Sequence, residues 1–382
     1  MGMLSRLEVK RKKLVRRKNK VDKTFYNGVV SRYKYPVLTH EHIPISWRFD
    51  LDPKTNPYEI ERLGINAVFN SGAIYFKGEF YLVPRIEGTD RKSFFALAKS
   101  KSGIDKFEMI EPIIFDRIGD ETNLYDMRLT EHEDGYIYGI FCSESINPEK
   151  RELMDAVAKA GIVRTKDLKT WERLPNLETK SPQQRNVILH PEFVNGKYLL
   201  YTRPQDGFID VGGAGGISAG FLDSMEKPVI DEEILIDRRI YHTIYETKNG
   251  GGCVPIKTRF GFIHIAHGVR NTAAGLRYVL YAFMTDLNDP LKVTYKPSGY
   301  FMAPQNEERV GDVSNVLFAN GAILKDDLIY LYYASSDTRL HVATIPIERM
   351  LDYLINNPKE AFNTYDSTKQ RIELIKRNKK GE

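Results

Sequence analysis

Gly72–Arg85 reads GAIYFKGEFYLVPR: an apolar run, a two-residue polar turn and a second apolar run. The phrase returns as RLTEHEDGYIYGIF from Arg128, HPEFVNGKYLLYTR from His190, VPIKTRFGFIHIAH from Val254 and GAILKDDLIYLYYA from Gly321. Its turns hold Lys77-Gly78, Asp134-Gly135, Asn195-Gly196, Phe260-Gly261 and Asp326-Asp327. Most of these pairs accept positive φ cheaply, as a tight β-hairpin requires. Recurrence at roughly 60 residues is the signature of a solenoid or a propeller. A second phrase follows most hairpins, in FFALAKSKSGIDKFE, AGIVRTKDLKTWERL and YVLYAFMTDLNDPLKV, and reads as a third strand, a polar turn and a fourth strand. Four antiparallel strands repeated five times around an axis predict an all-β fold, a five-bladed β-propeller with N- and C-terminal helical extensions.

The expected boundaries are a basic helical extension and lead-in over 1–62, the propeller over 63–347, and a C-terminal helix and tail over 348–382. In the last, IERMLDYLINNPKEAF carries Ile347, Met350, Leu351, Leu354 and Ile355 at helical spacing. The chain has 382 residues, 42% of them hydrophobic, enough for a substantial core. No run approaches the ~18 apolar residues that cross a bilayer. The opening MGMLSRLEVKRKKLVRRKNK is unlike a secretory signal, so a cytoplasmic location and no membrane partner are expected. Cys142 and Cys253 lie in different repeats and are expected to be buried free thiols. The net charge of +5 is concentrated in a basic run from Lys10 to Lys23. Nucleic-acid binding is one reading of such a run. Without an aromatic and basic stacking platform elsewhere, a solvated helix packed on the ring or on a second copy is the better one, and no nucleic-acid partner is expected.

Propeller strands are covered on both faces and should be apolar, so the polar exceptions are informative. They gather at two equivalent places in the repeat. At the start of the first strand come Asn70 and Ser71, Tyr125 to Arg128, Arg185 and Asn186 with His190, Lys248 and Asn249, and Asp312 with Asn315. At the end of the second come Arg85 and Glu87, Glu144, Arg203, His267 and Asp337. The first strand lines the axis and antiparallel pairing returns the second to the same mouth, so both sets should converge on one rim. Arg128, Arg185, Arg203, Lys248 and His267 make that rim cationic, which suits an oxyanion such as phosphate. Each Arg taken alone is as well explained by a blade-to-blade salt bridge; cations at equivalent positions of successive repeats favour an anion site. Asp126 is the best candidate acid, although a lone Asp before a strand is more often a turn former. The glycine runs at 212–216 and 250–252 fit neither a dinucleotide nor a P-loop pattern. His132, His242, His264 and His341 lack metal-ligand spacing, and no metal is expected.

The strings NPYEIERLGINAVFNSGAI, EGTDRKSFFALAKS, NLYDMRLTEHEDGYIYGIFC, ETKSPQQRNVILHPEFVNGKYLLYTRPQDGFID, AHGVRNTAAGLRYVLYAFMTDLNDP and ERVGDVSNVLFANGAI resemble the β-mannoside phosphorylases, glycoside hydrolase family 130, with phrasing similar to the subgroup that acts on mannosylglucose. The resemblance runs from about Arg32 to Ile347. It implies that Asp126 of YDMR is the single acid, protonating the glycosidic oxygen through the mannosyl 3-hydroxyl. It implies that Arg185 and Asn186 of QQRN, Arg203 of YTRP, Lys248, and His267 of AHG hold phosphate. Asn70, Ser71, Arg85 and Asp337 would contact the mannosyl ring, and Asp90 and Arg91 would border the glucose. Tyr125, Arg128 and His190 join the sugar-binding candidates. The implied partners are a β-mannosyl disaccharide and inorganic phosphate, the latter a co-substrate, with no cofactor; a homo-oligomer is expected.

Chemistry and resemblance agree. An inverting hydrolase needs two carboxylates, one to activate water. A phosphorylase needs only the acid, because phosphate arrives as an anionic nucleophile. Two alternatives remain: a hydrolase pairing Asp126 with Asp337 or Glu87, and a sugar-binding propeller without turnover. N-acetylglucosamine and mannooligosaccharide acceptors also stay open.

Overall fold

The computed structural model describes residues 2–60, 64–147, 149–150, 152–213, 215–361 and 363–380. The repeated hairpins become the inner two strands of five antiparallel sheets. The first blade is Ile65–Phe76, Glu79–Gly88, Ser93–Ser100 and Glu108–Ile113, and the second Glu121–Glu131, Ile137–Ser145, Val157–Thr165 and Glu172–Leu174. The third is Ile188–Leu189, Tyr198–Thr202, Ile217–Leu222 and Ile234–Asp237. In the fourth, an inner strand in two pieces, Lys248–Gly251 and Ile256–Thr258, pairs with Gly261–Thr272, followed by Gly275–Thr285 and Val293–Tyr295. Leu317–Lys325, Leu328–Ser335 and Arg339–Pro346 begin the fifth.

The hairpin dipeptides adopt the backbone their residues favour. Lys77 and Gly78 have φ of 48° and 85°, Asn195 and Gly196 55° and 75°, Asp326 and Asp327 50° and 58°. Positive φ at both central residues matches the right-handed twist of the flanking strands. At the other two turns only Gly135 and Gly261 have positive φ.

The core lies between blades. Val83, Phe95 and Leu97 of the first blade pack on Met127, Leu129, Phe141 and Val163 of the second. Ile263, Ile265, Leu280 and Met284 of the fourth meet Leu317, Ile329 and Leu331 of the fifth. Burial on both faces is why the strands read as near-continuous apolar runs.

The fifth blade takes its outer strand from the far end of the chain. Ser31 and Arg32 pair antiparallel with Thr344 and Ala343, so the expected lead-in is partly inside the ring and closes it. Arg32 pairs with Glu308 and donates to the Ala303 carbonyl at 2.7 Å, while the Tyr333 hydroxyl donates to the other Glu308 oxygen, also at 2.7 Å. Helix α1 (Met3–Val15) covers only the first part of the basic run. Beyond it the Asn19 amide donates to the Tyr35 and Ile104 carbonyls and straps the segment to the first blade. Helix α2 (Ile347–Asn356) buries Ile347, Met350, Leu351 and Leu354 against the fourth and fifth blades; α3 spans Thr364–Lys380. No helix among the described residues is long and apolar enough to cross a membrane. Cys142 and Cys253 are free and buried.

Near the axis the inner strands break their ladders. Register shifts fall between Phe69 and Ser71, between Tyr125 and Arg128, and between Ala319 and Gly321. Asn70 (φ 39°), Asp126 (62°) and Asn186 (55°) hold left-handed backbone there. A bulge re-aims a side chain that regular pleating would send between blades. The glycine after two of these bulges has a separate cause. A Cβ on Gly72 would lie 2.9 Å from the Met127 carbonyl, and one on Gly321 would lie 2.7 Å from the Ser71 carbonyl.

Candidate active site

The bulged residues of the first and second blades meet. Asp126 Oδ1 accepts a hydrogen bond from Asn70 Nδ2 at 2.9 Å and a longer one from Arg85 Nη1 at 3.4 Å. Oδ2 has no donor among the described protein groups, so the carboxyl is held by one oxygen and presents the other. Arg85 is fully engaged. Its Nε donates to Ser93 Oγ at 2.9 Å, a terminal nitrogen pairs with Glu87, and its guanidinium lies 4.5 Å from the Tyr125 ring and 4.7 Å from the Phe69 ring. Asp337 (φ 50°) reaches the same neighbourhood from the fifth blade. Part of its surface stays open, yet it lies deep enough for burial, aided by the Asp126 charge and opposed by Arg85, to push its pKa up to about 7.

Donor use sorts the remaining cations into two kinds. Arg128, 2% exposed, donates to the Gly252 carbonyl (2.8 Å), the Gly251 carbonyl (3.2 Å), the Asp126 carbonyl (3.0 Å) and Asn186 Oδ1 (3.0 Å). It reaches from the second blade to the backbone of the fourth, and these four contacts tie the two blades together. Burial without a carboxylate partner lowers its pKa to about 10.

Arg185, Arg203, Lys248 and His267 behave differently. Among the described residues Arg185 donates no hydrogen bond. Its Nε is buried without a partner, and its nearest carboxylate oxygen, Glu144 Oε1, is 3.6 Å from Nη2. Among the described residues Arg203, 4% exposed, bonds only Gln205 through its side chain, and its Nε has no partner. Both ring nitrogens of the wholly buried His267 lack partners among the described residues, and its ring stacks on Tyr278 (5.9 Å) and packs tilted on Phe318 (4.5 Å). Lys248 Nζ sits 5.5 Å from the centre of the Tyr278 ring. These groups sense one another. Burial, then Arg203 and Arg185, lower Lys248 to about 8; burial, then Arg203, Arg128 and Lys248, push His267 well below its usual range, so it is neutral. A Cβ on Gly250 would lie 2.7 Å from His267 Cε1 and 3.0 Å from Asn186 Nδ2, which places Asn186 in the same cup. Unpartnered buried donors are rare in folded proteins and need an explanation. Here three cations and a neutral histidine with unused nitrogens share a desolvated cup, close enough to shift one another's protonation, the chemistry of an oxyanion site.

The other expected site residues have the following surroundings. His190 is a core residue. Its Nδ1 is 3.1 Å from the Tyr201 hydroxyl, its ring packs 4.5 Å from Phe262, and burial lowers its pKa to about 3. It sits beyond Leu189, deeper along the inner strand than the bulge. Ser71 is buried and its hydroxyl donates to the Gly72 carbonyl. Asp90 and Arg91 are exposed on the turn between the second and third strands of the first blade, where Asp90 caps the Lys92 amide. Tyr125 donates to Glu144. Sequence reasoning passed over Tyr278, whose third-strand position carries no signal in the repeat, and the stacking of Phe208 on Arg185 at 4.3 Å.

A propeller whose funnel pairs one presented carboxyl with a desolvated cation cup is the architecture of a glycoside phosphorylase. Residues 39–356 match the model of glycoside hydrolase family 130, described as beta-1,4-mannooligosaccharide phosphorylase. The chain belongs to this family, and it is an enzyme. It is 57% identical over 357 residues to a 4-O-beta-D-mannosyl-D-glucose phosphorylase of Bacteroides fragilis, covering 92% of this chain and 91% of that one. A beta-1,4-mannooligosaccharide phosphorylase of Ruminococcus albus is 27% identical over 81% of this chain and 91% of its own. Among solved structures, the beta-1,2-mannobiose phosphorylase of Listeria innocua superposes with a TM-score of 0.67 at 21% identity, over 88% of this chain and 99% of that one, a likeness of fold.

Proposed function

We propose that this protein phosphorolyses 4-O-β-D-mannosyl-D-glucose with inversion, giving α-D-mannose 1-phosphate and D-glucose. The observation that carries this reading is the donor accounting: among the described residues Arg185 Nε and both ring nitrogens of His267 are buried without a partner, Lys248 Nζ lies over the Tyr278 ring, and Asp126 is held through one oxygen by Asn70. The resemblance to the Bacteroides fragilis enzyme favours glucose as acceptor.

In this mechanism the mannosyl unit binds beside Asn70, Asp126, Arg85 and Asp337. Phosphate binds in the cup of Arg185, Asn186, Arg203, Lys248 and His267 and attacks the anomeric carbon from the face opposite the glucose. As the C–O bond breaks, the Asp126 proton passes to the leaving oxygen, by way of the mannosyl 3-hydroxyl as in the family. The proton ends on glucose O4, Asp126 becomes a carboxylate, and the new C–O bond is to phosphate. The cations hold the nucleophile in line and offset its repulsion from the carboxylates, so positioning and electrostatics supply most of the rate gain. In this reading phosphate is the co-substrate, no cofactor takes part, and the enzyme works in the cytoplasm.

The test is phosphate dependence. Mannosylglucose incubated with the enzyme should release glucose only when phosphate is present, with α-mannose 1-phosphate as co-product by NMR; equal release without phosphate would make the enzyme a hydrolase. Asp126→Asn should lower kcat by about 10³-fold or more with little change in sugar KM. Near-normal turnover would remove Asp126 from the mechanism.

A further inference from the structure

The mannosyl side and the phosphate side of the funnel meet at one carboxylate, Glu144, at the end of the second strand of the second blade. Its Oε1 accepts the Tyr125 hydroxyl hydrogen bond and also lies 3.6 Å from Arg185 Nη2. Tyr125 is the neighbour of Asp126 in the chain, and its ring supports Arg85. The Arg185 guanidinium lies over the Phe208 ring, 4.3 Å from its centre, and Phe208 packs in turn with Tyr125, Cys142, Ala156 and Ala158.

We infer that Glu144 is a positioning residue for phosphate, aiming Arg185 at the cup by charge while leaving the guanidinium's hydrogen-bond donors free for the oxyanion. This rests on the phosphate reading of the cup. The geometry supports it in three ways. First, 3.6 Å is too long for a hydrogen bond, yet at that range opposite charges with 22% and 19% exposed side chains still attract strongly. Elsewhere in the molecule buried Arg–carboxylate pairs close to bonding distance, as Arg173 does with Glu121 at 2.6 Å, and the donor is then used. Second, Glu144 is itself fixed. Burial keeps the Tyr125 hydroxyl protonated far above neutral pH, so it always has a hydrogen to donate. Third, Phe208 gives the guanidinium a flat face to rest on, so charge on one side and a ring on the other define its orientation. A tether of this kind pre-orients the cation and adds no direct contact to substrate.

The experiment measures phosphate and sugar KM separately for Glu144→Ala, Arg185→Ala and the double variant, with mannosylglucose and inorganic phosphate. Glu144→Ala should raise the phosphate KM by about 10- to 100-fold, the size of effect that misplacing a positioning group produces, with the sugar KM little changed. In the Arg185→Ala background the same change should add less than about twofold, because a residue acting only through Arg185 has nothing left to act on. Glu144→Gln keeps an acceptor for Tyr125 but no charge, and should raise the phosphate KM in the same direction; it serves if the Ala variant does not fold. A Gln variant with unaltered phosphate KM, an equal rise in sugar KM, or full additivity with Arg185→Ala overturns the role. If Arg185→Ala itself leaves the phosphate KM unchanged, the phosphate reading of Arg185 fails and this inference fails with it. Additivity on top of a large Arg185 effect sinks Glu144 alone.

Discussion

Burial, aided by the charge of Asp126 and opposed by Arg85, keeps a proton on Asp337 up to about pH 7, against a carboxyl's ordinary 3.8. The linkage has a definite sign. Between about pH 4 and 7 the folded chain holds this proton and the unfolded chain does not, so the contribution of Asp337 to stability falls as pH rises through that window. Asp337→Asn should flatten that slope, and its melting temperature relative to wild type should be higher at pH 7.5 than at pH 4.5; a constant difference would show that Asp337 ionises normally. At this scale the sequence was informative where residue type and repeat position together carry the chemistry. Asp126, Arg185, Arg203, Lys248 and His267 were legible because each breaks an apolar strand at an equivalent place, and their side chains do share one funnel. Position in the repeat reports closeness to the axis. It does not report depth along the axis, so His190 was grouped with the site although it lies below it. Nor does it report which donors the backbone takes: Arg128 gives two of its donors to the Gly251 and Gly252 carbonyls, which its place in the repeat does not show.

The element that carries Lys248 is a four-residue strand, Lys248–Gly251, with three residues too small or too polar to anchor it by apolar packing. A polar network holds it instead. The Asn249 amide donates to the Asp237 carbonyl at 3.1 Å and to the Tyr281 hydroxyl at 3.0 Å. That hydroxyl donates to Asp237 Oδ2 at 2.7 Å, and Lys296 pairs with the other carboxylate oxygen. Asp237 comes from the outer strand of the third blade and Tyr281 from the fourth, so the network also joins two blades. Asp237→Ala leaves Lys296 without its anion among two tyrosine rings, and should cost about 3–5 kcal/mol of stability. Adding Lys296→Met should recover a large part of that loss, readable as the urea midpoint; a double variant no better than the single would mean the carboxylate, not the stranded charge, is what matters. Of this network only Asn249 stands at a position that recurs in the repeat; Asp237, Tyr281 and Lys296 are scattered over two blades and carry no signal there. The hairpins were legible for the opposite reason: Lys77-Gly78 and Asn195-Gly196 state their turn locally, in two adjacent residues.

Across the whole ring, the cup concentrates Arg185, Arg203 and Lys248 in a desolvated space, an arrangement that destabilises the fold and suits an anion. Closure by Ser31 and Arg32 and the apolar inter-blade core hold these charges together. The trade is testable at Lys248, whose folded pKa of about 8 lies below the ordinary 10.5. Below pH 8 the folded and unfolded chains both carry the charge, and the folded state bears the full penalty of burying it. Between about 8 and 10.5 only the unfolded chain stays protonated, so the folded state sheds its penalty and stability from this group rises with pH. Lys248→Met in phosphate-free buffer should therefore melt higher than wild type at pH 7, by a few degrees on the order of what 1–2 kcal/mol gives a chain this long. The gap should narrow as pH approaches 10. Added phosphate should raise the wild-type melting temperature, since a ligand that binds only the folded state stabilises it, and should do so much less in the variant. A variant that melts lower than wild type at pH 7, or that gains as much from phosphate, would mean that the Lys248 ammonium is compensated within the protein and takes no part in holding the anion.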